Sequence, residues 1–347
     1  MAGCRFDVAL NFPVDEGVGE VLSGLRVYSP RERSSAADIW EYVRASRVFI
    51  NAFTPVDASL LRDKGCLELI VLTSTGFDHV DVEAAAGVGV CVANQPEVIT
   101  EAVAEYVVAA VLAALRGVVA GHVYTPRWAG EGWPSHLAGF LVRGRSVGLL
   151  GAGRIGQSVA FKLAALGAGP FYYYSRSRKP GLEAVLGARR LEPRELFSRS
   201  MILVNSLPLT GETRGLVTAG LLRLLPRGAV YVNVGRGGTE EPGAVESVAS
   251  EREDLYFVLD VHPEEPLPPS SGRMRLHGNP RVVMTPHIAG SSRESMTATR
   301  LLAAMQARDY LERGCVWNPV NGACRECPSQ RVGLDEAIAM ARRLLGV

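Results

Sequence analysis

Short runs of apolar, often β-branched residues recur along this chain, alternating with segments whose apolar positions follow helical spacing. In the first third, the runs predict strands at Phe6–Leu10, Val48–Asn51, Leu67–Thr73 and Val88–Val92. Helices are predicted at Ala36–Arg44, Asp57–Arg62 and Val80–Ala85. Thr100 followed by Ala102–Glu105, ahead of an apolar run, predicts an N-cap and a long helix ending near Arg116–Gly117. A loop with Gly, Pro and Trp, Gly121 to Gly139, leads to a further strand from Ser146. Beyond it strands are predicted at Phe171–Tyr174, Met201–Asn205, Val230–Val234, Tyr256–Asp260 and Val282–Thr285. One helix from Ser291 to Arg313 and a short amphipathic helix, Asp335–Leu345, close the chain. Such alternation implies an α/β fold with doubly wound parallel sheets, whose ligands bind at the carboxyl ends of the strands.

The stretch Ser146–Gly156 reads SVGLLGAGRIG. An apolar strand runs into Gly151, Gly153 and Gly156, and the segment Arg154–Leu166 follows with helical spacing. Strand, G-x-G-x-x-G and helix in that order form the context of a dinucleotide-binding turn. Gly151 allows the tight turn, Gly153 lets backbone N–H groups approach a pyrophosphate, and Gly156 lets helix and strand pack closely.

Bulk properties narrow the classes. At 347 residues the chain suggests two domains. Its content is 47% hydrophobic and 21% charged, and its net charge is +1 with no basic block, which argues against nucleic acid as a partner. The most apolar run, Tyr106–Leu115, spans only ~15 Å as a helix against ~30 Å for a bilayer core, and reads as a buried helix with no membrane role. No signal peptide is visible at the start, which predicts the cytoplasm. Of the six cysteines, Cys66 and Cys91 sit in apolar surroundings and are expected to be buried and inert. Cys324 and Cys327 form a lone C-x-x-C with no second pair to complete a metal site, and read as a reduced pair in a loop or a local disulfide. No metal is predicted.

Three motifs fall at strand ends after the glycine turn: NVGRG (Asn233–Gly237), LDVHPEEP (Leu259–Pro266) and TPHIAG (Thr285–Gly290). Together they offer a guanidinium, carboxylates and an imidazole. A fixed cation beside a His–carboxylate pair suits carbonyl reduction: the arginine polarises the oxygen, the protonated histidine gives a proton, and the carboxylate keeps the imidazole oriented and charged.

With these motifs the chain resembles the D-isomer-specific 2-hydroxyacid dehydrogenases from about Asn51 to Asn321. The resemblance implies Arg236, Glu265 and His287 as catalytic residues, Glu265 rather than Glu264 matching the family's D-V-F-x-x-E-P, and Asp260 opening that motif. It implies that Ser74, Thr75 and Gly76, with Arg236, bind the substrate carboxylate. Thr100 is expected near the nicotinamide. The remaining cofactor contacts are expected at Gly151, Gly153, Arg154, Ile155, Gly156, Ser175, Arg176, Ser177, Leu207, Pro208, Thr213, Val234, Gly235, Asp260, His287 and Gly290. The departures are His262 for the family's Phe, Thr239-Glu240-Glu241 for V-D-E, a weak match over the first fifty residues, and a tail after Asn321 without counterpart. The alternative for Asp260 is a purely structural role, ordering the loop that carries Arg236. His262, a rival proton donor, takes the place of an apolar side chain and reads as a packing or loop residue.

The implied architecture is a Rossmann NAD(P)-binding domain, 117–295, inserted into a flavodoxin-like substrate-binding domain, 1–116 completed by 296–347. Its cleft would close by a hinge, and the chain would form a homodimer through the long helix and the arm before Arg145. At the second strand's end Ser175 stands where an acid would bind the adenine ribose of NAD, and Arg176 follows, so NADP(H) is preferred with NAD(H) possible. Expected activity is reduction of small 2-oxo acids such as glyoxylate or hydroxypyruvate. The alternatives are D-3-phosphoglycerate dehydrogenase, disfavoured by Leu72 where an arginine would stand three residues before Thr75, and a dinucleotide-sensing binding protein of the same fold.

Overall fold

A computed structural model describes residues 3–128, 132, 134–328 and 332–347. The chain divides into two compact units, Met1–Ile99 with Ser291–Val347, and Thr100–Gly290. The sequence pattern drew these divisions at 116/117 and 295/296.

The first unit carries a parallel sheet of β1 (Phe6–Leu10), β2 (Val27–Tyr28), β3 (Ser46–Asn51), β4 (Leu69–Leu72) and β5 (Cys91–Ala93) in the order β2-β1-β3-β4-β5. This is the flavodoxin-like order. Val8, Leu10, Val48, Ile50, Leu69 and Val71 face one core, with Ala303, Ala304 and Ala307 of the helix Arg293–Arg313 packed on it. Ala9, Phe49, Ile70 and Val92 face the other, against Trp40, Leu61 and Ala85. Burial on both faces is why these strands read as continuous apolar runs.

Around these strands several expectations shift. The helix expected over Ala36–Arg44 shortens to Trp40–Val43. The strand expected at Val88 begins at Cys91, because Val88 caps the helix Val82–Gly87 and Gly89 turns the chain. The two-residue edge strand β2 has too little apolar pattern to be read from sequence.

The cysteines correct the sequence reading most. All six are paired, as Cys4–Cys66, Cys91–Cys324 and Cys315–Cys327. Cys66 is partly exposed rather than buried, and Cys324 and Cys327 bond elsewhere rather than to each other. The tail after Gly314 is thereby sewn onto β5 and onto itself. Trp317 anchors it further: its N–H donates to Gln306 Oε1 at 2.7 Å and its ring Nε1 to Asp309 Oδ2 at 2.7 Å. Spacing cannot give such connectivity, since six cysteines allow fifteen pairings. Bridges of this kind persist in oxidising compartments and in intracellular proteins of hyperthermophiles.

The second unit holds a parallel sheet of β6 (Val147–Leu150), β7 (Phe171–Tyr174), β8 (Arg189–Arg190), β9 (Ile202–Asn205), β10 (Val230–Asn233), β11 (Tyr256–Leu259) and β12 (Val282–Met284). Their order is β12-β11-β10-β9-β6-β7-β8, reversing at β6/β9, which is the Rossmann order with one added strand. The glycine turn after β6 therefore lies at the switch point. The long helix begins at Glu97, not at Thr100, which lies inside it. At 19 residues it is long and apolar enough to cross a membrane by length and composition alone. Val103, Ala104, Val107 and Val111 are nonetheless buried, and Glu101 pairs with Lys162, as in a core helix of a folded domain. Trp133, part of the expected dimer arm, lies outside the described residues.

Candidate active site

The strand ends of the second unit supply the candidate site. After β6, Gly151 turns with φ +96°. A Cβ on Gly156 would stand 2.3 Å from the Gly151 carbonyl oxygen, whereas one on Gly153 would meet nothing within 4 Å. Helix and turn are thus in direct backbone contact, while the space over the helix start is open. Gly153 caps the helix Arg154–Ala165 without a side-chain hydrogen bond, so the first N–H groups, at Arg154, Ile155 and Gly156, are not used by a cap. This open, positively polarised cradle fits a dinucleotide pyrophosphate.

Ser175, Arg176 and Ser177 follow β7. Arg190 Nε donates to the Ser175 carbonyl at 3.0 Å and its Nη2 to that of Arg176 at 3.3 Å, bracing the turn from behind. Arg178 is tied to Glu183, which also accepts from the Tyr173 hydroxyl. The Arg176 side chain is exposed and forms no ion pair among the described residues. After β9, the Thr213 hydroxyl donates to the Pro208 carbonyl at 2.6 Å and accepts from Thr210 N–H at 2.8 Å, which fixes the loop beyond Leu207 and Pro208.

Asn205 and Asn233 are register partners at the ends of β9 and β10, and they do the same work. Asn205 Oδ1 accepts from Leu207 N–H at 3.2 Å and Asn233 Oδ1 from Gly235 N–H at 3.1 Å. Each asparagine so bends its own outgoing loop. Arg236 is next, beyond the buried Val234, flanked by glycines that permit close approach on both sides. A Cβ on Gly235 would lie 2.5 Å from the Leu207 carbonyl oxygen, and one on Gly237 2.0 Å from the carbonyl carbon of His262. The Arg236 carbonyl accepts from the Thr239 hydroxyl at 2.6 Å, and Nη1 donates to the Gly235 carbonyl at 2.8 Å.

The imidazole comes from the loop after β12. His287 has φ +55°, uncommon for a residue with a side chain, and its surroundings hold it there. Its N–H donates to the Asp260 carbonyl at 2.8 Å. The Asp260 carboxylate, 1% exposed, accepts from the Thr285 hydroxyl at 2.6 Å, Ile288 N–H at 2.8 Å and Ala289 N–H at 2.9 Å. Among the described residues the carboxylate thus holds the loop that carries His287, rather than the Arg236 loop that the sequence reading gave it to order. The Thr285 hydroxyl also contacts the Tyr106 hydroxyl, a phenol that burial pushes up to about 12.

His287 Nδ1 lies 2.6 Å from Glu265 Oε2, and Glu265 Oε1 accepts from His262 N–H at 2.8 Å. Burial pushes the Glu265 carboxyl up, but hydrogen bonds from His287 and His262 and their charge outweigh it and hold it below its usual range. With Nδ1 engaged, Nε2 of His287 is the ring atom left to exchange a proton. Glu264 is exposed and takes no part in the pair. His262 is buried, its Nε2 donating to the Thr285 carbonyl at 3.0 Å, so it stitches the β11 loop to the β12 loop. Sequence pattern read it as a packing or loop residue; its bond to Thr285, and Tyr106, had no local signal.

Ser74, Thr75 and Gly76 belong to the first unit, after β4. Their carbonyls are occupied, Ser74 by Gln95 N–H at 3.1 Å, Thr75 by Asn94 Nδ2 at 2.6 Å and Gly76 by the Ser74 hydroxyl at 2.8 Å. The Thr75 and Gly76 N–H groups make no hydrogen bond among the described residues, which suits an anion. Thr100 lies inside the first turns of its helix, and Gly290 ends the His287 loop.

Comparison with known proteins identifies the family. Residues 108–289 match the D-isomer specific 2-hydroxyacid dehydrogenase NAD binding domain. A glyoxylate reductase of Aeropyrum pernix is 40% identical over 263 residues, covering 74% of this chain and 76% of that protein. A crystal structure of a Thermus thermophilus protein is 31% identical with TM-score 0.80, covering 91% of this chain and 100% of that one. The NADPH-dependent glyoxylate/hydroxypyruvate reductase of Sinorhizobium meliloti, solved with NADP and malonate, is 27% identical with TM-score 0.79, covering 94% and 100%. The chain therefore belongs to the D-isomer specific 2-hydroxyacid dehydrogenases and is an NAD(P)-dependent oxidoreductase.

Proposed function

We propose that the enzyme reduces small 2-oxo acids such as glyoxylate or hydroxypyruvate, with Arg236, Glu265 and His287 as catalytic residues and NADP(H) as preferred cofactor. The observation that carries this reading is the His287–Glu265 pair, 2.6 Å apart, which joins the loop after β12 to the segment after β11, itself in backbone contact with the Arg236 loop at Gly237. A dinucleotide bound there would supply the hydride for the carbonyl carbon. The N–H groups at Arg154, Ile155 and Gly156 would hold its pyrophosphate, and Ser175, Arg176 and Ser177 its adenine ribose with the attached phosphate.

The guanidinium of Arg236 stabilises the negative charge that grows on the carbonyl oxygen. His287 gives that oxygen a proton from Nε2, while Glu265 keeps Nδ1 protonated and the ring aimed. The N–H groups of Thr75 and Gly76 are assigned to the substrate carboxylate. Two features support a small, unphosphorylated substrate: buried Leu72 stands where an arginine would be needed, and the archaeal relatives carry the name glyoxylate reductase. NADP(H) is supported by the missing acid after β7, by the exposed Arg176, and by the NADPH dependence of the Sinorhizobium relative.

The test is an absorbance assay of NADPH and NADH oxidation with glyoxylate, hydroxypyruvate, pyruvate and 3-phosphohydroxypyruvate. Fastest turnover of the phosphorylated acid would overturn the substrate reading, and binding without turnover of any acid would make the protein a dinucleotide sensor. We also infer a homodimer, from the exposed apolar side chains Val118, Val123, Trp128, Phe140 and Leu141 on the arm before Arg145. A monomer mass by light scattering at assay concentration would refute it.

A further inference from the structure

Behind the Arg236 loop lies a buried ionic cluster that no part of the proposed chemistry uses. Arg273, 1% exposed, donates from Nη2 to Glu240 Oε2 at 2.6 Å and from Nε to Glu246 Oε1 at 2.7 Å. Burial pushes its guanidinium down, and the two carboxylates outweigh this and raise it. Glu240 Oε1 accepts in turn from the Tyr231 hydroxyl at 3.0 Å and from Asn233 Nδ2 at 2.7 Å. Asn233 Nδ2 also donates to the Arg236 carbonyl at 3.3 Å, and Asn233 Oδ1 accepts from Gly235 N–H.

The carboxylate therefore decides which way the Asn233 amide faces. Glu240 can only accept, so it selects the NH₂ end. Reversed, the amide would set its oxygen against the Arg236 carbonyl and its NH₂ against the Gly235 N–H, and the turn carrying Arg236 would lose both bonds. Arg273 and Glu265 lie on the same segment after β11, so one loop reaches Arg236 through Glu240 and His287 through Glu265. A buried ion pair is seldom retained for stability, because desolvating the charges offsets their attraction. We propose that Glu240 and Arg273 are positioning residues: through the Asn233 amide they hold the Arg236 loop in register with the Glu265–His287 pair. This rests on the role given above to Arg236.

The test is a double-mutant cycle on the full enzyme with glyoxylate as substrate. Glu240→Gln is expected to lower kcat/KM for glyoxylate by about 10- to 100-fold, the scale of a small misplacement of a catalytic group. The dinucleotide Kd, read by fluorescence titration, should stay within about twofold. In an Arg236→Ala background the same substitution should change kcat/KM by less than about twofold, because it acts through the arginine. Glu240→Asp keeps the charge while withdrawing the carboxylate from Asn233 by roughly one bond length, about 1.5 Å. It decides the matter if Glu240→Gln does not fold, with an expected loss of about three- to tenfold at near wild-type Tm.

Equal losses in dinucleotide affinity and glyoxylate turnover would mean a merely structural cluster. Fully additive effects with Arg236→Ala would overturn the positioning role alone. If Arg236→Ala itself leaves glyoxylate kinetics unchanged, the catalytic reading falls and this proposal with it.

Discussion

Gly237 lies directly against the backbone of His262: a Cβ at residue 237 would stand 2.0 Å from the carbonyl carbon and 2.1 Å from the carbonyl oxygen. The loop carrying Arg236 and the motif carrying Glu265 thus meet backbone to backbone. Gly237→Ala is expected to destabilise the protein by about 1–3 kcal/mol, as overpacking of a close contact does. Its kcat should fall more than its dinucleotide affinity, because the two loops are pushed apart. Unchanged Tm and kcat would show that the contact is not tight in solution.

His287→Ala should lose at least ~10²-fold in kcat, the usual worth of general acid catalysis. His262→Ala removes the bond to the Thr285 carbonyl and should lower Tm while retaining most of kcat. The reverse outcome would make His262 the proton donor.

Ser175→Asp should shift the kcat/KM ratio toward NADH, since a carboxylate there repels a ribose phosphate and suits the free hydroxyls. Wild-type efficiency with NADH equal to or better than with NADPH would sink the cofactor assignment.

The Glu265 carboxyl is held below its ordinary value of 4.5. A depressed carboxylate contributes stability that is complete above the unfolded value and lost as pH falls through the folded one. The unfolding free-energy difference between wild type and Glu265→Gln should therefore shrink as the pH falls below about 5 and the folded carboxylate is protonated. A difference that grows as the pH falls would contradict the pairing.

Cys91–Cys324 closes a separation of 233 residues and ties the tail to β5. Cys324→Ser should cost about 2–4 kcal/mol of stability with kcat near wild type. Protein unfolded without reductant should show no titratable thiol, and six reactive thiols would refute all three bridges.

Much of the site was legible in the order of residues along the chain. Arg236, Glu265 and His287 each follow an apolar run that ends in a short motif, and a parallel sheet sends every such end to the same edge. Glycine spacing after β6 specified a pyrophosphate cradle for the same reason: Gly151, Gly153 and Gly156 act within one turn of chain, where sequence neighbours are spatial neighbours. Helix starts were less secure. Thr100 looks like a cap, yet the helix begins at Glu97 and Thr100 lies inside it, because the residues before it adopt the helical backbone without a local capping pattern to announce it.

The periodicity of the chain, by itself, determined the class of fold, the strands at whose ends the candidate groups stand and the types of group they present. Only the tertiary structure decided what holds those groups still. Arg273 meets Glu240 across 33 residues, His262 meets Thr285 across 23, and Cys91 meets Cys324 across 233. Such contacts leave no local pattern: they arise from strand order and loop packing, and any polar residue in those loops would look the same along the chain until the sheet brings its partner beside it.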